Sequence, residues 1–451
     1  MRRTTRFAAV GPMAVVASCL AAGLLTAGSV AATASSSGIR LGARVELPVS
    51  GRDAEDPVLA MNASGRVVIA YAETDPFGPF GVLAGDAASG KLERARVRQL
   101  GAKVDLSPLE PAVGADGQTA LGWSVRRQLH PANRVAFGID STTLANAPRA
   151  RWTSHAVLAP TVSYDPSDDS PTLASSAFVG RRLIQDWTTQ TASASRLVFA
   201  RQDANGNWHT RVLLHTGSDT TIGVGGLAVN GSGRAVIAAS LQPVLDATAA
   251  SAPTHPKRES AVAFSSTSSG RIGAPQMLRR GCSVAGVAIA IGGRAAIVML
   301  CNEAAGRSQV WISESAPAGR FGAPLRVSGP GVDGVFPSAS FSVDGRVCVA
   351  WDRVVGSAKT FDANIVRTEV NCAAPGHRFD RPTWQTGPYP TQINGPQILN
   401  GPSGPALTRG DQHGRVVLQR LFADRRLGPT IALSGPGSRN QTVDVDTHGD
   451  G

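Results

Sequence analysis

One hairpin-like phrase, repeated along the chain, limits the possible folds more than any other feature of the sequence. A few apolar residues lead into a polar turn that ends in Gly, and a second apolar run follows. The phrase reads PVLAMNASGRVVIAYA from Pro57, PAVGADGQTALGWSV from Pro111 and PTLASSAFVGRRLIQDW from Pro171. It returns as GLAVNGSGRAVIAAS from Gly226, GVAIAIGGRAAIVML from Gly286 and PSASFSVDGRVCVAW from Pro337. Gly65 precedes Tyr71, Gly117 precedes Trp123 and Gly345 precedes Trp351 by six positions each. Gly233 to Ala239 and Gly293 to Met299 keep that interval without the aromatic. Such self-similarity marks a repeat architecture.

A second phrase lies between these hairpins: an apolar strand, a Gly-containing turn and a strand that often holds Pro. ESAVAFSSTSSGRIGAPQML from Glu259 and SQVWISESAPAGRFGAPLRV from Ser308 are examples. ASRLVFARQDANGNWHTRVLL from Ala194 has the same form without the Pro. Together the phrases give four short strands per unit, with units starting at 57, 111, 171, 226, 286, 337 and 396. No segment holds apolar spacing of three and four, so helices are expected to be scarce. Four-stranded antiparallel sheets repeated around a centre are the blades of a β-propeller, which leaves only short, protected edges. Small residues in the first strand suit the crowded axis, and aromatics ending the second fill the wider space between blades. A β-sandwich is the rival, but it does not predict a whole-unit repeat. Seven blades are expected; the alternative is eight with an incomplete last blade. Residues 38–49 look like an outer strand that could close the ring, and RNQTVDVDTHGDG from Arg439 looks like a further first strand.

Residues 1–34 read as a signal peptide: Arg2, Arg3 and Arg6, an apolar run to about Gly28, then small residues at Ser29-Val30-Ala31 and Ala32-Thr33-Ala34. An uncleaved anchor is the alternative, since the run is long enough to cross a bilayer. Residues 35–451 form one propeller domain in this reading, with no span in the mature chain. Removing three arginines and no acid lowers the formal charge from +11 to +8. The arginines are spread singly, not gathered into the stripe a phosphate backbone requires, which argues against nucleic-acid binding. A secreted or extracytoplasmic monomer is expected.

The mature chain holds Cys282, Cys301, Cys348 and Cys372. An even count in an exported protein suggests disulfides, with three pairings open. Local pairing, Cys282 with Cys301 and Cys348 with Cys372, closes short loops; four buried thiols are the alternative. No Cys-x-x-Cys pair or nearby His supports zinc, and no metal or cofactor is expected. Asp444 to Gly451 resembles the start of a calcium loop, but it aligns with the ordinary hairpin turn of the other units.

The recurring "apolar, Asp or Asn, Gly, apolar, Trp" resembles the repeats of secreted bacterial sialidase-like propellers over nearly the whole mature chain. The resemblance implies the fold and export. An Asp-box is missing in clean form, Ser342-Val343-Asp344-Gly345 being one residue short. By analogy with such propellers, the face holding the connections between units, and between the second and third strands, carries the ligand. That face is expected to gather Asp56, Glu73, Glu110, Trp123, Arg126, Tyr164, Asp169, Asp186, Asp352 and Arg353. Carboxylates, guanidinium groups and indole faces are what a sugar-binding surface uses. Solvated loops and Trp packed between blades are the bland alternative. No catalytic pair is defined. The expected function is non-catalytic binding of an extracellular or cell-envelope partner, a protein or a glycan. A sialidase-like glycoside hydrolase or lyase is the alternative.

Overall fold

The computed structural model describes residues 54–433, apart from some connecting stretches, together with Arg6–Phe7 and Val45–Glu46. Among these residues there is no helix. Strands group in strict chain order. The first three sheets are Ala54–Met61 to Lys91–Ala95, Val104–Val113 to Thr153–Ser163 and Ser170–Val179 to Trp208–Gly217. The fourth and fifth run from Thr220–Val229 to Gln276–Arg280 and from Cys282–Ile289 to Leu325–Arg326. The sixth holds Gly334–Phe341, Val347–Ser357, Asn364–Ala373 and Trp384–Gln385, with Tyr389–Pro390 also paired to its third strand. The seventh holds Gln397–Gly401, Gly404–Gly410, Val416–Arg420 and Ile431–Ala432. All seven are antiparallel meanders of four strands or slightly more, and consecutive sheets pack face to face. The chain is a seven-bladed β-propeller.

The repeated phrase is the inner hairpin of each blade. Its Gly sits where the turn needs a left-handed backbone: φ is +81° at Gly117, +83° at Gly233, +81° at Gly293 and +79° at Gly345. The arginine after that Gly has a use that the sequence did not announce. In blade four the Arg234 guanidinium, in a residue only 5% exposed, donates to the turn carbonyl of Gly293 in blade five. Arg294 of blade five does the same to Gly345 of blade six, at 2.6 Å. Between blades one and two, Asn62 Nδ2 donates to Gly114 O at 2.8 Å. Turn carbonyls of one blade are thereby bonded to side chains of the preceding blade across the seams.

The inner strands carry β-bulges opposite the second strands, as between Leu173 and Ser175 and between Val284 and Gly286. The N–H groups of Leu173 and Val284 are caught by the preceding blade, on Ser124 Oγ and Ser240 Oγ, each at 2.8 Å. The aromatics of the phrase fill the seams: Tyr71, Trp123, Trp187 and Trp351 are at most 1% exposed. Burying each such side chain is worth roughly 1.5–3 kcal/mol or more.

Both disulfides pair locally. Cys282–Cys301 joins the first two strands of blade five, and Cys348–Cys372 joins the second and third of blade six. Each links residues directly opposed in the ladder, where backbones come closest. Two disulfides fit an oxidising compartment. The expected N-terminal closing strand is corrected in part: Val45–Glu46 pairs with Arg6–Phe7, not with a blade, among the described residues. The cleavage region and the segment from Arg439 lie outside the described residues. No helix of the described residues is long and apolar enough to cross a membrane.

Candidate functional site

Blade six and its junction with blade seven bring Asp352, Thr368, Glu369, Tyr389 and Arg409 close together. The second strand of blade six alternates faces: Ala350 and Asp352 turn toward blade seven, while Trp351 and Arg353 turn toward blade five. Its partner strand does likewise, with Thr368 opposite Asp352 and Glu369 opposite Trp351. Two separate clusters result.

On the blade-seven side, Asp352 Oδ1 accepts from Thr368 Oγ1 and from Tyr389 OH, each at 2.8 Å. The two hydroxyls lie 2.7 Å apart. Asp352 is 1% exposed and Tyr389 4%. Burial pushes the Asp352 carboxyl up to about 6, against the opposing pull of Tyr389, Thr368 and the Arg409 cation. Burial also raises the Tyr389 phenol, with the neighbouring Asp352 charge adding to it. Arg409 of blade seven stands 5.3 Å from the centre of the Tyr389 ring and is held by Gln419 Oε1, at 3.1 Å from Nε and 2.7 Å from Nη2. Beyond it the tight turn at 411–415 ties Asp411 Oδ2 to Arg415, 2.8 Å from Nε and 2.7 Å from Nη2.

On the other side, Glu369 is buried and its Oε1 accepts from Arg353 Nη1 at 3.3 Å and Gln385 Nε2 at 3.1 Å. Burial raises the Glu369 carboxyl, opposed chiefly by Arg353. Arg353 itself keeps 42% of its side chain in solvent. It is a partly exposed cation held by a buried carboxylate.

The expected site residues divide accordingly. Asp352 and Arg353 are neighbours but serve opposite faces of one sheet. Asp352, expected at a strand end on the ligand face, is instead enclosed in the seam of blades six and seven. Trp123 is packed with Val68, Ala70 and Val125 in the seam of blades one and two, so its indole face is not open to a ligand. Asp186 is 0% exposed, in mid-strand, because the second strand of blade three runs on to Gln190. Its oxygens make no well-aligned hydrogen bond among the described residues, only weaker local contacts with the Ser175 hydroxyl and with the N–H groups of Ser175 and Asp186. Burial lifts its carboxyl to about 7, softened by the nearby Ser175 hydroxyl and local N–H groups. Glu110 is half-buried in the inner strand of blade two. Asp56, Glu73 and Arg126 lie on strands, with their side chains outside the described residues. Tyr164 and Asp169 lie outside the described residues altogether. Among the described residues no group of His, Cys, Asp and Glu is arranged to hold a metal.

Sequence reasoning missed Thr368, Glu369, Tyr389 and Arg409. One hint was available: the residue six positions beyond the turn Gly, Trp123 in blade two and Ala239 in blade four, is followed by Ser124 and Ser240, and each serine makes a contact between blades. Asp352 holds that same position.

No family model and no curated protein matches the chain. Among solved structures, an ulvan lyase of polysaccharide lyase family PL25, bound to a GlcA–Rha3S unit, overlaps 83% of this chain and 95% of its own. Its TM-score is 0.47 at 9% identity. One of two prolyl endopeptidases analysed together overlaps 85% of this chain and 50% of its own, with a TM-score of 0.48 at 12% identity. A Hadza microbial sialidase overlaps 79% and 71%, with a TM-score of 0.36 at 12% identity. These likenesses span unlike activities.

Proposed function

We propose that this chain is an exported, non-catalytic propeller that binds an extracellular or cell-envelope ligand, a glycan best fitting its chemistry. The observation that carries this reading is Arg353: a partly exposed arginine of the second strand of blade six, fixed through the buried Glu369. An arginine held at one end presents its remaining N–H donors in a set direction, which suits sugar hydroxyl or carboxylate oxygens. The acids best placed for chemistry speak against catalysis. Asp352 and Glu369 are closed off and spend hydrogen bonds on Tyr389, Thr368, Arg353 and Gln385, where a glycosidase needs two carboxyls open to one scissile bond. Export is supported by the basic, apolar and small-residue order of residues 1–34 and by the disulfides.

A glycan array probed with the mature chain, followed by calorimetry on any ligand retained, tests the reading. Saturable binding without turnover is expected. Sustained cleavage of a bound glycan would make the chain a hydrolase or lyase instead.

A further inference from the structure

The register of blade six sets two arginines side by side. Arg353 in the second strand and Arg367 in the third are directly opposed, so both side chains rise from the same face of the sheet. Rungs of an antiparallel pair alternate between narrow and wide. Cys348 and Cys372, five rungs away, stand on a narrow one, with their Cα atoms 4.1 Å apart. The arginines therefore take a wide rung, about 5.5 Å between Cα atoms. Two guanidinium groups rooted that close can both reach one small group. Their rung lies near the hairpin end of the two strands, whose last pair is Ser357 with Asn364.

Like charges directly opposed across a ladder are destabilising unless something offsets them. The chain offers one carboxylate for the two. Glu369 holds Arg353 at 3.3 Å, and Arg367 acts on it through its charge. The Arg367 guanidinium makes no hydrogen bond among the described residues, and its Nε is buried. Asp333, the acid next along the inner strand, accepts from the Ser308 N–H of blade five at 2.9 Å. The flanks supply no acceptor side chain either. Opposite Arg353 on the inner strand is Gly334. On the outer side Thr386 bonds to Thr368 and Tyr389 pairs with Val366, so the chain passes Arg367 with Gly387 and Pro388, both exposed. A Cβ added to Gly387 would meet no atom within 4 Å, so the space there is open.

We propose that Arg353 and Arg367 together bind an oxyanion, the carboxylate or sulfate group of an acidic glycan residue. Two guanidinium groups and one carboxylate leave a net positive charge on this face, and planar N–H donors match the oxygens of either anion. This subsite rests on the glycan-binding reading above and narrows it to acidic chains.

The test compares the mature wild type with Arg353→Gln, Arg367→Gln and Glu369→Gln. Binding is read on an array of uronate-containing and sulfated oligosaccharides beside their carboxyl-reduced and desulfated counterparts, and affinity by calorimetry on a retained chain. Each arginine variant is expected to bind at least about tenfold more weakly. Glu369→Gln, which removes the competing carboxylate, is expected to bind about threefold tighter or better. Arg367→Gln should keep or raise the thermal midpoint, because it removes a like-charge neighbour. Loss of binding on carboxyl reduction would support the site and identify a uronate; loss on desulfation would support it and identify a sulfate ester. Neutral chains retained as firmly as acidic ones would overturn the oxyanion site and leave the glycan reading standing. Unchanged affinity in Arg367→Gln with a lowered midpoint would make that arginine structural and overturn the site as well. Wild type that retains no glycan would remove both proposals.

Discussion

Asp186 and Asp352 both lie in second strands, in blades three and six, and both are closed to solvent, but their surroundings are opposite. Asp352 follows the blade aromatic and turns to the seam of blades six and seven, where two hydroxyls donate to one of its oxygens. Asp186 precedes the aromatic Trp187, where blades one, two and six have Ala70, Gly122 and Ala350. It shares a face with Ile184, which packs with Ile237 and Ala239 of blade four. Ala239 stands where other blades carry Tyr71, Trp123 or Trp351, so the seam that gains a carboxyl is one that lacks the aromatic. The lesson is one of satisfaction, not burial. A buried acid held by two well-placed hydroxyls ties a seam together, while one with only weak local contacts is held nearer its neutral form.

The largest expected effect is at Asp186. A carboxyl near 3.8 in the unfolded chain and about 7 in the fold makes unfolded protein bind fewer protons across that window. Stability therefore falls as pH rises from about 4 to about 7, then levels off. Asp186→Asn should remove that slope and raise stability at pH 8, relative to pH 4, by on the order of 2–4 kcal/mol. Urea melts of both proteins at the two pH values would measure it, and parallel pH profiles would break the contrast.

Next comes Asp352→Ala, which strands the Tyr389 and Thr368 hydroxyls and should cost about 2–4 kcal/mol in a urea melt at pH 7. A loss under about 0.5 kcal/mol would show that the network does not organise the seam. Tyr389→Phe removes one donor and should cost about 1 kcal/mol. In that variant the Asp352 carboxyl should rise further, because a bond to its charged form is lost. The smallest change expected is for Arg353→Gln, a half-exposed ion pair worth no more than about 1 kcal/mol at neutral pH. Its effect should fall on ligand affinity instead.

The seven units, the hairpin turns and the local cysteine pairing were legible because each depends on neighbours a few tens of residues apart. The buried aromatics followed from the same register. The polar clusters were not legible, since they depend on which face of a strand a residue takes and on what crosses the seam. Tyr389 meets Asp352 across 37 positions, and Arg409 arrives from the next blade. Asp186 was expected near the end of its strand, on the ligand face, whereas the strand runs on through Gln190 to a short turn at 191–194 and leaves Asp186 in its interior. Arg367 carried no mark in the sequence: its place opposite Arg353 follows from a register that only the pairing of two strands defines.

Two enclosed acids, Asp186 and Asp352, are held differently, and carbon-detected NMR titration of the aspartate carboxyls reads that directly. With resonances assigned through Asp186→Asn and Asp352→Asn, the midpoints should fall at about 7 for Asp186 and about 6 for Asp352. Titration of both near 3.8, the ordinary aspartate value, would contradict it.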